Sequence, residues 1–198
     1  LEAVNSYKKV INIEPNHANA LYNLGYIYHE LLDYDQSLMY YKLAIRINPG
    51  FYYSYSNLAK VFMDKGDYKN SLKYYELFLE KNPNDVKILN DVGALFVKLN
   101  HYEKSLIYFR RALKINPESI ETKYNIASVF IDIGRYEQAK TILNKIIEEQ
   151  PNNFYAYSKL GEIFCNLDDF YKGIKYFHKA ISISKNNQNL YSLLFFYS

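Results

Sequence analysis

The sequence predicts an all-α protein, a solenoid of helix-turn-helix repeats with a period of 34 residues. The first observation is that each proline lies 34 residues from the next. The five prolines are Pro15, Pro49, Pro83, Pro117 and Pro151. The second observation is that apolar residues recur at helical spacing between the prolines, and the third is that small residues recur at fixed places within the period. A fixed period of this size is typical of a repeat array, and a proline can end a helix because it lacks an N–H group.

Numbering each unit so that its proline is position 32 divides the chain into five full repeats and two partial ones. The full repeats are 18–51, 52–85, 86–119, 120–153 and 154–187. Residues 1–17 match only the second helix of a unit, and residues 188–198 match only a first helix. Because a solenoid has no separate cores, we treat 1–198 as a single array.

The first helix of each repeat is predicted by an apolar stripe at positions 4, 7, 8 and 11. In the first full repeat these positions are Leu21, Leu24, Gly25 and Tyr28. Position 8 is Gly or Ala in all five repeats, which lets a neighbouring helix approach closely. Lys123 departs from the stripe at position 4 of the fourth repeat, and we expect it to weaken that unit locally.

The second helix is predicted by three further positions. Position 17 is aromatic in every repeat, from Tyr34 to Phe170, and position 20 is always small. Position 24 is always large and apolar, from Tyr41 to Phe177. Two helices of about 14 residues, each roughly 21 Å long, therefore fill one repeat.

The end of the chain is strongly apolar, and Lys185 stands where a sixth proline would fall. The apolar residues include Leu190, Leu193, Leu194, Phe195 and Phe196. Terminal repeats of a solenoid normally carry a polar outer face. We therefore expect that the array continues in a longer solenoid, or that this tail docks on another chain, with self-association as one form of docking.

These small, aromatic and proline positions resemble the 34-residue pattern of the tetratricopeptide repeat (TPR) family. The resemblance covers essentially the whole chain, with Lys123 and Lys185 as its modest departures. It implies a right-handed α-α superhelix. It also implies that the face of the first helix opposite the core lines a concave groove, which binds a protein or peptide partner.

Position 6 lies on this implied groove face, and it is Asn23, Asn57, Asp91, Asn125 and Lys159 in the five repeats. The three asparagines resemble the ladder of superhelical TPR arms such as that of the protein O-linked N-acetylglucosamine transferase, where amides hold the backbone of an extended peptide. One amide offers an acceptor and two donors, which a peptide unit requires. The alternative is coincidence in a chain that is rich in asparagine.

Tyrosines occupy other positions of the implied groove and would give contact area, because their rings are amphipathic and have few rotatable bonds. These tyrosines are Tyr22, Tyr26, Tyr53, Tyr124 and Tyr155. The alternative is that some of them pack against adjacent helices. Lys60 at position 9 and Lys87 at position 2 complete the candidate groove residues.

The carboxylate clamp, which holds the acidic C-termini of chaperones in some TPR proteins, is not favoured. From the first full repeat onward, its five positions are Tyr22, Tyr26, Asn57, Lys87 and Asp91. Only Asn57 and Lys87 match the clamp, and the carboxylate of Asp91 would repel an acidic ligand.

The sequence favours neither catalysis nor a metal or cofactor site. The four histidines show no i, i+4 pairing, and Cys165 has no nearby His or Lys in sequence to activate it. The chain has 24 Lys and Arg against 21 Asp and Glu, whereas nucleic acid binding needs a concentrated basic stripe. No apolar run of about 18 residues predicts a membrane span. A lone cysteine fits a reducing compartment, so we expect an intracellular protein, in the cytoplasm or alternatively the nucleus.

The hypothesis from sequence is a protein-binding scaffold that engages a peptide segment of a partner in its groove, with no catalytic constellation of its own. One alternative is the substrate-recognition arm of a larger enzyme, such as a glycosyltransferase. Another is an oligomeric assembly subunit that associates through the ends of the solenoid.

Overall fold

A computed structural model describes residues 2–184, and all regular secondary structure within them is α-helical. The predicted all-α class is therefore confirmed. The eleven helices of this part of the chain are α1 (Glu2–Ile13), α2 (Ala18–Glu30), α3 (Tyr34–Ile47), α4 (Tyr53–Asp64), α5 (Tyr68–Lys81), α6 (Val86–Lys98), α7 (Tyr102–Ile115), α8 (Ile120–Asp132), α9 (Tyr136–Glu149), α10 (Phe154–Asn166) and α11 (Phe170–Ser184). The helix expected over 188–198, together with Lys185 and the apolar tail residues Leu190, Leu193, Leu194, Phe195 and Phe196, lies outside the described residues.

Side-chain caps fix the start of most of these helices. The Asp33 carboxylate accepts a hydrogen bond from the Gln36 N–H, and the Asp85 carboxylate accepts one from the Ile88 N–H. The remaining caps of this kind are His17, Asp67, Ser119, Asn153 and Asp169. Each cap satisfies one N–H group that the first turn of a helix leaves without a partner.

The turn inside each repeat is built on a left-handed residue at position 15. Gly66 and Gly134 adopt φ values of 78° and 72° there, and Leu32, Asn100 and Asp168 adopt φ values near 60°. Glycine occupies this region without strain, and Asn and Asp tolerate it. Leu32 is a branched apolar residue in the same conformation, so its turn carries backbone strain.

The described helices fall into two compact units, Leu1–His101 and Tyr102–Ser198. Within each unit, a helix packs mainly against its neighbours in sequence. In the first unit, Val4 of α1, Leu21 and Leu24 of α2, and Tyr40 of α3 belong to one buried cluster. In the second unit, the side chain of Phe109 on α7 is likewise buried.

Position 24 supplies the largest fully buried side chains of both units. Tyr41 and Tyr75 occupy it in the first unit. The corresponding residues in the second unit are Phe109, Leu143 and Phe177, which are equally buried. The glycine at position 8 lies against this ring: a Cβ built on Gly25 or Gly161 would lie 2.8 Å from a ring carbon of Tyr41 or Phe177.

A stacked aromatic pair recurs between positions 11 and 23. Tyr28 stacks on Tyr40 with ring centroids 5.5 Å apart, and Phe62 stacks on Tyr74 at the same distance. In the second unit Phe164 stacks on Tyr176 at 5.3 Å. Tyrosine and phenylalanine thus provide the aromatic packing of a chain that contains no tryptophan. In the described part of the chain, no helix is both long enough and apolar enough to cross a membrane.

Candidate functional site

Four of the residues predicted to line the groove meet around one cavity in the unit Leu1–His101. Asn57 and Lys60 project from α4, and Lys87 and Asp91 project from α6. The two residues on each helix are three or four positions apart, so they share a helix face. The cavity has a volume of about 60 Å³, and we refer to it as the Tyr75 cavity after a fifth lining residue.

Tyr75 reaches this cavity from α5, the second helix of the same repeat as α4. Its side chain is fully buried, and its hydroxyl makes no hydrogen bond within the described part of the chain. Burial raises the pKa of the Tyr75 hydroxyl, and the negative charges of Asp91 and Asp64 raise it further. The hydroxyl therefore keeps its proton and can donate a hydrogen bond.

Asn57 is held in place by Tyr22, although both were predicted to face a ligand. The Asn57 Nδ2 group donates a hydrogen bond to the Tyr22 Oη at 2.8 Å. The Tyr22 ring packs against Tyr41 and Phe51, with centroid distances of 5.7 Å and 4.9 Å. Because an amide carries two N–H groups and a carbonyl oxygen, this bond leaves Asn57 capacity to bind a further group.

The other predicted residues of the first unit lie elsewhere on the first helices. Asn23 is half-buried on α2, whereas Tyr26 on the same helix is 50% exposed. Tyr53, the first residue of α4, is 63% exposed, and its ring lies 6.5 Å from the ring of Phe78. Tyr26 and Tyr53 thus present aromatic surface to solvent.

In the unit Tyr102–Ser198, three predicted residues form a separate cluster. The rings of Tyr124 and Tyr155 meet edge to face with centroids 4.7 Å apart, and the Lys159 Nζ lies 5.8 Å from the Tyr155 centroid. The Tyr124 hydroxyl donates a hydrogen bond to Asn153 Oδ1. Asn125 is half-buried on α8 beside Tyr124. A shallow concavity of about 470 Å³, lined in part by Tyr124 and Tyr155, adjoins the cluster.

Burial shifts the proton affinities in this cluster. Burial raises the pKa of Tyr124 to about 12, although the hydrogen bond to Asn153 opposes the shift. Burial would lower the pKa of Lys159, but the hydrogen bond and the charge of Glu162, 2.7 Å from Nζ, outweigh it, so the pKa is raised. Tyr124 is therefore a neutral hydroxyl and Lys159 a cation over the physiological range.

Sequence reasoning missed Tyr75 because it assigned position 24 to the core. The assignment is correct for the ring, which is fully buried. The available signal was the choice of tyrosine at a core position that is phenylalanine or leucine in the repeats that begin at 86, 120 and 154. A buried hydroxyl needs a hydrogen-bond partner, so a tyrosine at such a position indicates a polar neighbour.

Reactive and metal-binding groups are sparse in the described residues. Within 2–184, no group of three or more His, Cys, Asp or Glu side chains could hold a metal ion. Cys165 is buried on α10, and burial raises the pKa of its thiol, which disfavours the reactive thiolate.

Family models for tetratricopeptide repeats match the chain almost from end to end. The matched residues are 2–31, 18–51, 56–120, 96–163 and 154–187. The chain belongs to the tetratricopeptide repeat family. The period of 34 residues and the helix pairs of this TPR protein are those of the family.

Solved structures of TPR proteins share the fold. YrrB, a TPR protein with an unusual peptide-binding site, superposes with a TM-score of 0.71 at 18% identity, over 96% of this chain and 98% of YrrB. The MamA protein gives a TM-score of 0.73 at 18% identity, over 85% of this chain and 92% of MamA. A TPR protein from Parabacteroides merdae ATCC 43184 gives 0.71 at 20% identity, over 98% and 90% of the two chains. No curated protein sequence matches significantly.

Proposed function

We propose that this TPR protein is an interaction scaffold that binds a peptide segment of a partner protein along the groove face of its first helices. The observation that carries the proposal is the Tyr75 cavity. There, four residues that sequence reasoning assigned to the groove come together from two successive first helices. They are Asn57, Lys60, Lys87 and Asp91.

The chemistry of the lining suits a peptide. Asn57 retains donor and acceptor capacity for a peptide backbone, and Lys60 and Asp91 add opposite charges beside it. Tyr53 exposes aromatic surface on α4, which lines the cavity, and Tyr26 does so on α2, the first helix of the preceding repeat. Buried aromatic contacts are the usual anchors of a protein interface. In the second unit, Tyr124, Tyr155 and Lys159 would serve as a further contact cluster.

Several contacts are needed for useful affinity. One net hydrogen bond contributes about 0.5–1.5 kcal/mol, whereas a micromolar complex requires about 8 kcal/mol. The aromatic surface therefore has to supply much of the binding free energy, and the asparagines mainly fix the position of the peptide backbone. The peptide-binding site of YrrB, a protein of the same fold, supports a peptide as the ligand class.

A selection from a phage library of random 12-residue peptides tests the proposal on the whole chain. We expect enriched peptides whose affinity falls about threefold to tenfold in the Asn57→Ala variant, because one hydrogen bond is lost. Tyr53→Ala should weaken the same peptides at least as much. Asn144→Ala, on the exposed face of α9, is the matched control and should bind as the parent does. Peptides that bind equally to all three variants would contradict the proposed groove.

A further inference from the structure

Tyr75 is one of two tyrosines at position 24, with Tyr41, and it lines the Tyr75 cavity. Tyr75 lies at position 24, where the ring fills the core and where Phe109 and Phe177 fill it in other repeats without a hydroxyl. The added oxygen is fully buried, lines the Tyr75 cavity and has no hydrogen-bond partner among the described residues. A buried hydroxyl in this state favours a group that can accept its proton in a hydrogen bond.

Charged groups of both signs surround the Tyr75 hydroxyl. Lys60 and Lys87 contribute two positive charges at its rim, and Asp91 contributes a negative one. The Asp64 carboxylate also acts on the Tyr75 hydroxyl, and it lies 2.7 Å from His29 Nε2. The charges of Asp91 and Asp64 both disfavour a negative charge beside the Tyr75 hydroxyl, and the ammonium groups of Lys60 and Lys87 disfavour a basic group in the cavity. The surroundings of the hydroxyl therefore favour a neutral polar group.

The cavity offers donors and acceptors together. The Tyr75 hydroxyl and the two lysines can donate, whereas the carboxylate of Asp91 and the Oδ1 of Asn57 can accept. A ligand group that both accepts and donates would satisfy this lining better than a carbonyl or a hydrocarbon.

The volume limits the ligand group to a few atoms. The cavity of about 60 Å³ compares with the roughly 30 Å³ that one water molecule occupies in the liquid. An aromatic ring is too large for this space. A planar carboxamide, with three heavy atoms, has the right size and carries both an oxygen acceptor and an N–H donor.

We infer that the Tyr75 cavity is a specificity pocket for one carboxamide side chain, Asn or Gln, of the bound peptide. The Tyr75 hydroxyl donates to the carboxamide oxygen, and Asp91 accepts from its NH₂ group. This inference rests on the proposed function, because the peptide has to lie in the groove for its side chain to enter the cavity. Tyr75 then determines which residue is selected, in addition to filling the core.

The experiment compares three proteins in the same 12-residue library: the parent chain, Tyr75→Phe and Ser71→Ala. Ser71→Ala is the matched control, since it removes another buried hydroxyl without a partner in the described residues from the same helix, and Ser71 does not line the Tyr75 cavity. We expect Asn or Gln to be enriched at one peptide position by the parent chain and by Ser71→Ala, and not by Tyr75→Phe. Synthetic versions of one selected peptide, with Gln, Glu, Lys or Leu at that position, should bind the parent with Gln tightest, by about tenfold over Glu.

Each outcome decides between the two proposals. If the selected peptides bind in the groove but prefer acidic, basic or apolar residues at every position, the pocket proposal is wrong and the groove proposal stands. The pocket proposal is also wrong if Tyr75→Phe still selects Asn or Gln. A library that yields no binding peptide overturns the groove and the pocket together. If Tyr75→Phe fails to fold, Asp91→Asn replaces it. In Asp91→Asn, the ratio of the affinities of the Gln peptide and the Glu peptide should be smaller than in the parent chain. An unchanged ratio of affinities would contradict the pocket proposal.

Discussion

The units Leu1–His101 and Tyr102–Ser198 use the same repeat position in different ways. Position 24 fills the core of both, yet Tyr41 and Tyr75 bring hydroxyls into the first unit, whereas Phe109 and Phe177 bring only hydrocarbon into the second. Packing requires a large side chain here, and both rings with a hydroxyl and rings without one meet that requirement. The difference teaches that a core position can also bring a polar group to a cavity, because the buried ring of Tyr75 carries a hydroxyl and lines the Tyr75 cavity.

The largest expected effect is the loss of the ring itself, which should affect both units alike. Phe177→Ala and Tyr75→Ala should each lower the free energy of unfolding by about 3–5 kcal/mol, because a fully buried aromatic side chain leaves a cavity. Urea titration followed by circular dichroism measures the change. His178→Ala, an exposed neighbour on α11, is the control and should stay within about 0.5 kcal/mol of the parent. A large loss in only one unit would show that position 24 is not equivalent in the two.

Adding a hydroxyl to the second unit should come next in size. Phe177→Tyr should lower the free energy of unfolding by about 1–3 kcal/mol, because it adds a hydroxyl to a side chain that is fully buried. The same urea titration measures it. An unchanged free energy of unfolding would mean that the new hydroxyl finds a hydrogen-bond partner. Position 24 of the second unit would then accommodate a hydroxyl as well as position 24 of the first.

Removing the hydroxyl from the first unit should have the opposite sign. Tyr75→Phe should raise the free energy of unfolding by about 1 kcal/mol, because the buried hydroxyl has no partner among the described residues. A decrease of similar size would instead indicate that the hydroxyl is already satisfied. The prediction also separates two roles, since Tyr75→Phe should stabilise the fold while weakening peptide selectivity.

The smallest effects concern the turns, where the two units can be compared at position 15. Leu32→Gly should raise the free energy of unfolding by roughly 0.5–1 kcal/mol, because Leu32 has a φ of 61° and glycine relieves that strain. Gly134→Ala should lower it by about 1 kcal/mol through backbone strain alone, since no atom lies within 4 Å of the added Cβ. Asp168→Gly is the control, with little change expected because Asp tolerates this conformation. The thermal midpoints of the three variants measure these changes. A Gly134→Ala variant as stable as the parent would contradict the view that position 15 favours glycine in the turns of both units.

The proline period was sufficient to predict the helix pairs. We predicted helices of about 14 residues, and the observed lengths run from 12 residues in α1 to 15 in α11. Local signals explain this success, because the cap, the apolar stripe and the proline of one repeat all act within a few residues of one another. The left-handed conformation of Leu32 is the exception, since a leucine gives no local sign of it.

The candidate site was only partly accessible from sequence. Position numbers placed Asn57, Lys87 and Asp91 on one face, but they could not reveal that Tyr22, 35 residues from Asn57, engages the Asn57 amide. The position of the Tyr75 hydroxyl depends on the packing of α4, α5 and α6 together. Such a three-helix arrangement has no signature in the spacing of any one segment.

The packing of each helix against its sequence neighbours has a consequence for folding during synthesis. Because most contacts within a unit join segments close in the chain, the entropy of closing long loops hardly opposes folding. Folding can begin at one helix pair and spread to the next. While the ribosome is still adding the later repeats, the earlier ones can already pack, so the helices that line the Tyr75 cavity can fold before synthesis has ended.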